Sequence, residues 1–475
     1  MAAIGKSGVV GIVGAGTMGA GIAQLAAAAG HPVLLYDAWD GAAEKGRARI
    51  AKGLEGLVKR GRMTEAESAA IMARIAVVTN PEAFAGAALA IEAVVEDLEV
   101  KRKLFAQLEA VMGDDAILAT NTSSISVTAI ARDLRRPGRF AGMHFFNPAP
   151  VMKLVEVISG VATDAAVAAT VFATAEAWGK VAVHAKSTPG FIVNRVARAY
   201  YAEALRLYEE RVADPATLDA LMTEGAGFRM GPFALMDLIG HDVNYAVSQS
   251  VFSAYYQEPR FRPSVVQLEL VNAGRLGRKS GRGFFDYAEG AAQPVAVTET
   301  VETGAVPLEG AAADRVCDLP AVRIHPTDGR TARMLARDFA RPVIVTDLTA
   351  GRGIATRVGF AASPDVPDRV VAEFVAAMGA QGLSATRLPD WPGLVAMRTL
   401  AMLANEGFEA VMQGVADETA VDAAMVNGVN YPRGPMGWAR AIGLGRVLAV
   451  LDSLQALTGD PRYRASLALR LAVGD

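Results

Sequence analysis

The 475-residue chain has a single cysteine, Cys317, which leaves no intrachain disulfide framework and no cysteine-based zinc site, and no metal is expected. Neither charge dominates: 47 basic residues stand against 50 acidic ones, far from the strongly basic balance of a nucleic-acid-binding surface. Long hydrophobic runs are also lacking. The alanine-rich stretches are broken by glycine or charge before reaching the roughly 18 apolar residues of a membrane span. The start, MAAIGKSGVVGIVGAG, has no charged segment ahead of a long apolar run, so no signal peptide is read there. Yet apolar residues make up 52 % of the chain, too many for a disordered one. These exclusions point to a soluble, cytoplasmic protein with roughly three or four domains.

The first stretch with chemistry in it is VVGIVGAGTMGAGIAQLAAAAGHPVLLYD. A β-branched run, Val9 to Val13, leads into Gly14, Gly16 and Gly19 in G-x-G-x-x-G spacing, and an alanine-rich helix follows to Gly30. In that spacing the first glycine permits a tight turn and the second lets backbone approach a pyrophosphate. The third permits close helix–strand packing. The helix N-terminus, beginning at Thr17 and Met18, offers free N–H groups to phosphate. Asp37 closes the next strand, where an acid can bond both hydroxyls of an adenosine ribose and repel a 2′-phosphate, which favours NAD over NADP. The pattern predicts a Rossmann dinucleotide-binding domain. Further strands are read in IAVVTN, LAIEAVVED and AILATNTSS, with a helix from about Lys101 to Met112. Glu96, Asn121 and Ser123 fall at carboxyl ends of strands, where ligands of such sheets bind.

The segment AGMHFFNPAPVMKLVEVISG holds His144, one of five histidines, and Glu156 twelve residues later. Both lie in apolar runs that read as two strands joined by an NPAP turn. Such a pair is either a buried histidine satisfied by an acid or a base with its orienting carboxylate.

Five motifs, GAGTMGAGIA, VVEDLEVKRKLF, NTSS, HFFNPAPVMKLVEV and TPGFIVNR, occur in the order and spacing of L-3-hydroxyacyl-CoA dehydrogenases, and the resemblance covers about residues 8 to 287. It implies reversible oxidation of a (3S)-hydroxyacyl-CoA to the 3-oxoacyl-CoA by NAD. By the same resemblance His144 is the catalytic histidine, Glu156 its partner, Ser123 the active-site serine and Asn194 the active-site asparagine. Glu96 and Lys101 line the cofactor site with Gly14, Gly16, Thr17, Met18, Gly19, Asp37 and Asn121. Ser123, Asn147 and Asn194 meet the substrate, and Lys52 meets the CoA phosphates. The chemistry agrees: alcohol oxidation needs a base for the hydroxyl proton, and a buried carboxylate fixes the imidazole tautomer and stabilises the imidazolium. A bifunctional hydratase–dehydrogenase is disfavoured, because no segment shows a crotonase-like glutamate pair. A non-enzymatic NAD sensor would not need His144, Glu156 and Asn194 together.

Beyond a linker rich in Ala, Gly and Pro, a repeat emerges. The segment from Trp391 matches the first helical segment without a gap at a constant offset of 203. Pro189 matches Pro392, Arg195 matches Arg398, Glu203 matches Glu406, and Gly240 matches Gly443. Met397 stands where the first copy has Asn194, so the second copy is expected to be structural, packing against the first as short family members pack between subunits. The division expected is 1–186, Rossmann; 187–290, first helical domain; 291–314, linker; 315–388, a small degenerate α/β module without nucleotide; and 389–475, second helical domain. Acyl-CoA is the expected partner, with neither nucleic acid nor membrane, and the chain is a monomer or homodimer. Length and layout resemble the family's long bacterial form associated with phenylacetate catabolism. That implies 3-hydroxyadipyl-CoA as substrate, with 3-hydroxybutyryl-CoA the alternative. An ω-carboxylate would need a cation in the acyl pocket, for which Arg195, Arg198 and Arg229 are candidates.

Overall fold

The computed structural model describes residues 2–474, arranged in two compact units. The first is Met1–Val193 with Gly414–Val429, and the second is Asn194–Gln413 with Asn430–Asp475.

The first unit is built on an eight-stranded sheet. In chain order the strands are β1 (Val9–Val13), β2 (Val33–Tyr36), β3 (Ile75–Val77), β4 (Ala87–Glu92), β5 (Ile117–Thr120), β6 (Phe140–Phe145), β7 (Leu154–Ser159) and β8 (Val181–Lys186). Their spatial order is β3-β2-β1-β4-β5-β6-β7-β8, and every pair is parallel except β6 with β7. Helices such as Thr17–Ala28 and Leu98–Val111 connect the parallel strands and cover the sheet, which is why β4 to β7 are near-continuous buried apolar runs. Strand order reverses between β1 and β4, the switch point at which doubly wound sheets open a crevice. The β6–β7 pair and its NPAP turn are as the sequence predicts, whereas β8 had no strand assigned to it. The helix Glu418–Val429, from late in the chain, packs on β7 and β8.

The second unit starts with the helices Arg198–Glu209, Pro215–Ala220, Pro232–Ile239, His241–Ala254 and Val265–Asn272. A five-stranded sheet follows: β9 (Cys317–Asp318), β10 (Arg323–Pro326), β11 (Val343–Thr346), β12 (Arg357–Ala362) and β13 (Ser384–Arg387), in the order β13-β12-β11-β10-β9. The helices Ala396–Met412, Pro435–Ile442, Leu444–Thr458 and Leu467–Gly474 complete it. The Ala396–Met412 helix is buried at every position from Ala396 to Ala410. It packs on the Arg198–Glu209 helix, so the two helical copies meet as the repeat implies. Among the described residues no single helix is long and apolar enough to cross a membrane.

The repeat runs further than its helices. Strand β12 and the helix Asp368–Ala380 lie 203 residues after β7 and the helix Ala165–Ala177, and β11 and β13 begin 203 residues after β6 and β8. The hairpin register repeats too: Thr346 pairs with Phe360 as Met143 pairs with Val157. The small sheet is thus a reduced copy of the carboxyl half of the large one.

Candidate active site

Four features of the first unit make the crevice fit a dinucleotide. Gly14 has φ +98°, and a Cβ there would meet the Ala93 carbonyl oxygen at 2.5 Å. A Cβ on Gly19 would run into the Gly14 carbonyl, so the helix Thr17–Ala28 can lie against the turn only with glycine at that position. Gly16 is the opposite case: its Cβ would meet nothing within 4 Å, which leaves its backbone open to a ligand. No side chain caps that helix, so the first N–H groups, at Thr17 and Met18, remain available to phosphate.

Gly14, Gly16 and Asp37 line a cavity of about 420 Å³. Asp37 is held there by the N–H groups of Ala15 (2.7 Å to Oδ2) and Trp39 (3.0 Å to Oδ1). Trp39, 79 % exposed on the rim, was not singled out from the sequence. Its only signal is an aromatic two residues after the acid.

At the far side of the switch point two acids and a lysine are linked. Glu92, fully buried at the end of β4, accepts hydrogen bonds from Lys101 Nζ (2.5 Å), Thr120 Oγ1 (2.6 Å) and Val94 N (2.8 Å). Lys101 also reaches Glu96, at 3.2 Å. Glu96 Oε1 gathers Thr122 Oγ1 (2.5 Å), Ser123 N (3.1 Å) and Ser124 N (3.2 Å). Burial opposes the charge on Glu96, but the Lys101 ammonium and the hydroxyls of Thr122 and Ser124 outweigh it and hold the carboxyl below its usual range. Lys101 is only 1 % exposed, so it acts through Glu96 and not by facing the cavity itself. Glu92, Thr120 and Thr122 were missed by sequence reasoning: Glu92 and Thr120 are buried polar residues inside apolar strands and read as ordinary core, and Thr122 lies in the loop after β5. Asn121 locks the next strand, its Oδ1 accepting from Phe145 N at 2.8 Å.

His144 and Glu156 face one another across β6 and β7. His144 Nδ1 lies 2.7 Å from Glu156 Oε2, both groups are buried, and the imidazole is flanked by the rings of Phe146 and Phe191. Glu156 Oε1 accepts from the N–H groups of Ile192 and Val193, each at 3.0 Å. A carboxylate only accepts, so Nδ1 carries the hydrogen and the lone pair of the neutral ring sits on Nε2. Phe191, at φ 48°, makes the turn that aims those two N–H groups at the acid, and Asn194 follows directly in the chain at the head of the second unit. Ser123 is half-buried beside Glu96, whereas Asn147 and Lys52 are exposed.

In the reduced copy the same positions read differently. Asp347 stands 203 residues after His144 and Gly359 stands 203 after Glu156. The Asp347 carboxylate accepts from Val395 N (3.0 Å), Ala396 N (2.8 Å) and Met397 N (3.0 Å). An acid on the histidine's strand has taken over the backbone contacts made elsewhere by Glu156. No histidine remains there.

Comparison with known proteins shows the family. Residues 9–188 match the family model of the 3-hydroxyacyl-CoA dehydrogenase NAD-binding domain, and residues 190–287 and 393–474 match that of the C-terminal domain. Residues 324–392 match the 3-hydroxybutyryl-CoA dehydrogenase reduced Rossmann-fold domain. The 3-hydroxyadipyl-CoA dehydrogenase of Escherichia coli (strain K12) is 47 % identical over 97 % of this chain and 96 % of its own length. The 3-hydroxybutyryl-CoA dehydrogenase of Clostridioides difficile is 41 % identical over 58 % of this chain and 98 % of its own. A crystal structure described as 3-hydroxybutyryl-CoA dehydrogenase from Escherichia coli K12 superposes with a TM-score of 0.94 at 46 % identity, covering 98 % of both chains. The chain belongs to the 3-hydroxyacyl-CoA dehydrogenase family, NAD-dependent oxidoreductases.

Proposed function

We propose that the chain oxidises (3S)-3-hydroxyadipyl-CoA to 3-oxoadipyl-CoA in the cytoplasm, as a step of phenylacetate degradation. The observation that carries this reading is likeness over nearly the whole length to a relative named for that substrate. The short 3-hydroxybutyryl-CoA dehydrogenase correspond to only 58 % of the chain. One solved full-length relative bears the 3-hydroxybutyryl name, and that substrate is the alternative.

NAD, when bound, supplies the acceptor for the hydride. The residues of the chain do the rest. His144 Nε2 takes the proton of the substrate hydroxyl as the carbon is oxidised, and Glu156 holds the ring in the tautomer that leaves Nε2 unprotonated and offsets the charge of the imidazolium. Ser123 and Asn194 hydrogen-bond the reacting oxygen. Asp37 selects the unphosphorylated ribose, and Glu96, fixed by Lys101, orders the loop that carries Ser123. With Asp347, Gly359 and Met397 in place of the histidine, glutamate and asparagine, the second half performs no chemistry, so each chain has one site.

The test is a panel of NADH-formation assays with (S)-3-hydroxyadipyl-CoA and (S)-3-hydroxybutyryl-CoA. A higher kcat/KM for the dicarboxylic ester is expected. Equal values, or a preference for the butyryl ester, would reject the substrate assignment while leaving the reaction class intact.

A further inference from the structure

Of the three arginines that could meet an ω-carboxylate, the structure disposes of two. Arg195 is already paired with Glu406, and Arg229 is exposed. Arg198 is different. It is 7 % exposed and has no carboxylate within ion-pair distance among the described residues. Its Nε donates to Asn194 O (3.1 Å), and its Nη1 donates to Asn244 O (3.3 Å) and Ser248 Oγ (3.1 Å). Nη2 has no hydrogen-bond partner among the described residues. The cation also lies over the Tyr201 ring, 4.8 Å from its centre. Burial works against the charge on both Arg195 and Arg198. Glu406 outweighs it at Arg195, but nothing does at Arg198, whose guanidinium is held below its usual range. A buried cation without a counter-ion is unfavourable unless an anion joins it.

Arg198, Tyr201 and Ser248 line a cavity of about 310 Å³ together with Phe261, Arg262 and Gln267. The one acid on its wall, Glu209, is eleven residues on, about 16 Å along the helix, and accepts from Ser264 Oγ. The repeat shows what the fold itself requires here. At the positions of Arg198, Tyr201, Asn244 and Ser248 the second copy has Ala401, Ala404, Val447 and Leu451. At these four positions the same helices therefore pack with apolar side chains, and this polar set occurs only in the copy that keeps Asn194. By contrast Arg195 and Glu203 recur in the second copy as Arg398 and Glu406.

We propose that Arg198 recognises the terminal carboxylate of a short dicarboxylic acyl chain, in the cavity beside the Arg198–Glu209 helix. This rests on the reading of the substrate as a dicarboxylic ester and of Asn194 as a contact of the reacting oxygen. Arg198 Nε reaches the Asn194 carbonyl at 3.1 Å, so the guanidinium stands beside the residue read as a contact of the reacting oxygen. Only three carbon–carbon bonds separate C3 from C6 of an adipyl chain, so its terminal carboxylate stays close to the reacting carbon. The planar guanidinium, with Nη2 uncommitted, suits a carboxylate better than an ammonium would.

The experiment is the ratio of kcat/KM for (S)-3-hydroxyadipyl-CoA to that for (S)-3-hydroxybutyryl-CoA, measured in the wild type and in Arg198→Met. The ratio is expected to fall on the order of 10–100-fold, chiefly through KM for the dicarboxylic ester, the size of effect expected on losing a hydrogen-bonded charge. Arg198→Gln keeps donors for the Asn194 and Asn244 carbonyls and takes its place if the methionine variant fails to fold, with the same expectation. A wild-type preference that survives in the folded variant overturns the role of Arg198 alone. A wild type with no preference for the dicarboxylic ester overturns the substrate reading and this inference with it.

Discussion

Arg195 Nε lies 2.5 Å from Glu406 Oε1, and Arg398 Nε lies 2.8 Å from Glu203 Oε2. Each arginine is related to the other, and each glutamate to the other, by the same offset of 203 residues. Every copy of the helical domain thus gives its arginine to the other copy's glutamate, which is the self-complementary pattern of a two-fold dimer interface written into one chain. All four side chains are buried. Glu406→Leu would leave Arg195 and Arg260 without that partner and should cost about 3–5 kcal/mol, seen as a lower denaturant midpoint. A chain ending at Tyr287 exposes the apolar face of the Arg198–Glu209 helix together with Arg195 and Glu203, and should self-associate in sedimentation experiments. A well-behaved monomer would contradict this account of the duplication.

The reduced copy has kept its architecture and lost its chemistry, and Asp347 distinguishes the two. Asp347→Ala strips three backbone N–H groups of their acceptor and should destabilise the fold by about 2 kcal/mol or more. KM for NAD should not move, because the residue lies in the unit without the glycine-rich turn. A changed KM at unchanged stability would argue against a purely structural role.

At the cofactor crevice, Asp37→Ser removes the charge that repels a 2′-phosphate. NAD binding should weaken and discrimination against NADP should relax, as read from KM for both cofactors. An unchanged NAD to NADP preference would mean that the acid does not face the ribose.

Glu156→Gln keeps the shape of the pair and removes its charge. The imidazolium that forms as the proton is taken then lacks the charge that offsets its own. The kcat should therefore fall, with little change in NAD binding. An unchanged kcat would contradict the pairing.

Much of this architecture can be read from the residues, and what cannot has a physical reason. Gly14 and Gly19 must be glycine because backbone occupies the space of a side chain, and Gly16 completes their spacing with its own backbone left open, so the three stand out in the sequence. His144 and Glu156 are visible as polar residues in greasy strands, and their register follows from the turn between them. The Glu92–Lys101–Glu96 chain is not visible, since its members are spread over a strand, a loop and a helix that only the sheet brings together. The helical repeat survives in sequence because prolines, glycines and interface ion pairs constrain it. Upstream, in β11 to β13, only burial is retained, and burial tolerates any apolar residue, so the copy shows in register and not in identity. Arg198 could be named as a cation in a helix, but its lack of a counter-ion is a property of the packing alone.

The most direct test of the central claim is NADH formation by the wild type and His144→Ala with NAD and (S)-3-hydroxyacyl-CoA, alongside NAD binding to both. The wild type should form NADH. The variant should bind NAD with little change and turn over on the order of 10²–10⁴-fold more slowly, the usual span for a positioned proton-transfer group. Near-normal turnover by His144→Ala would contradict the assignment of the base.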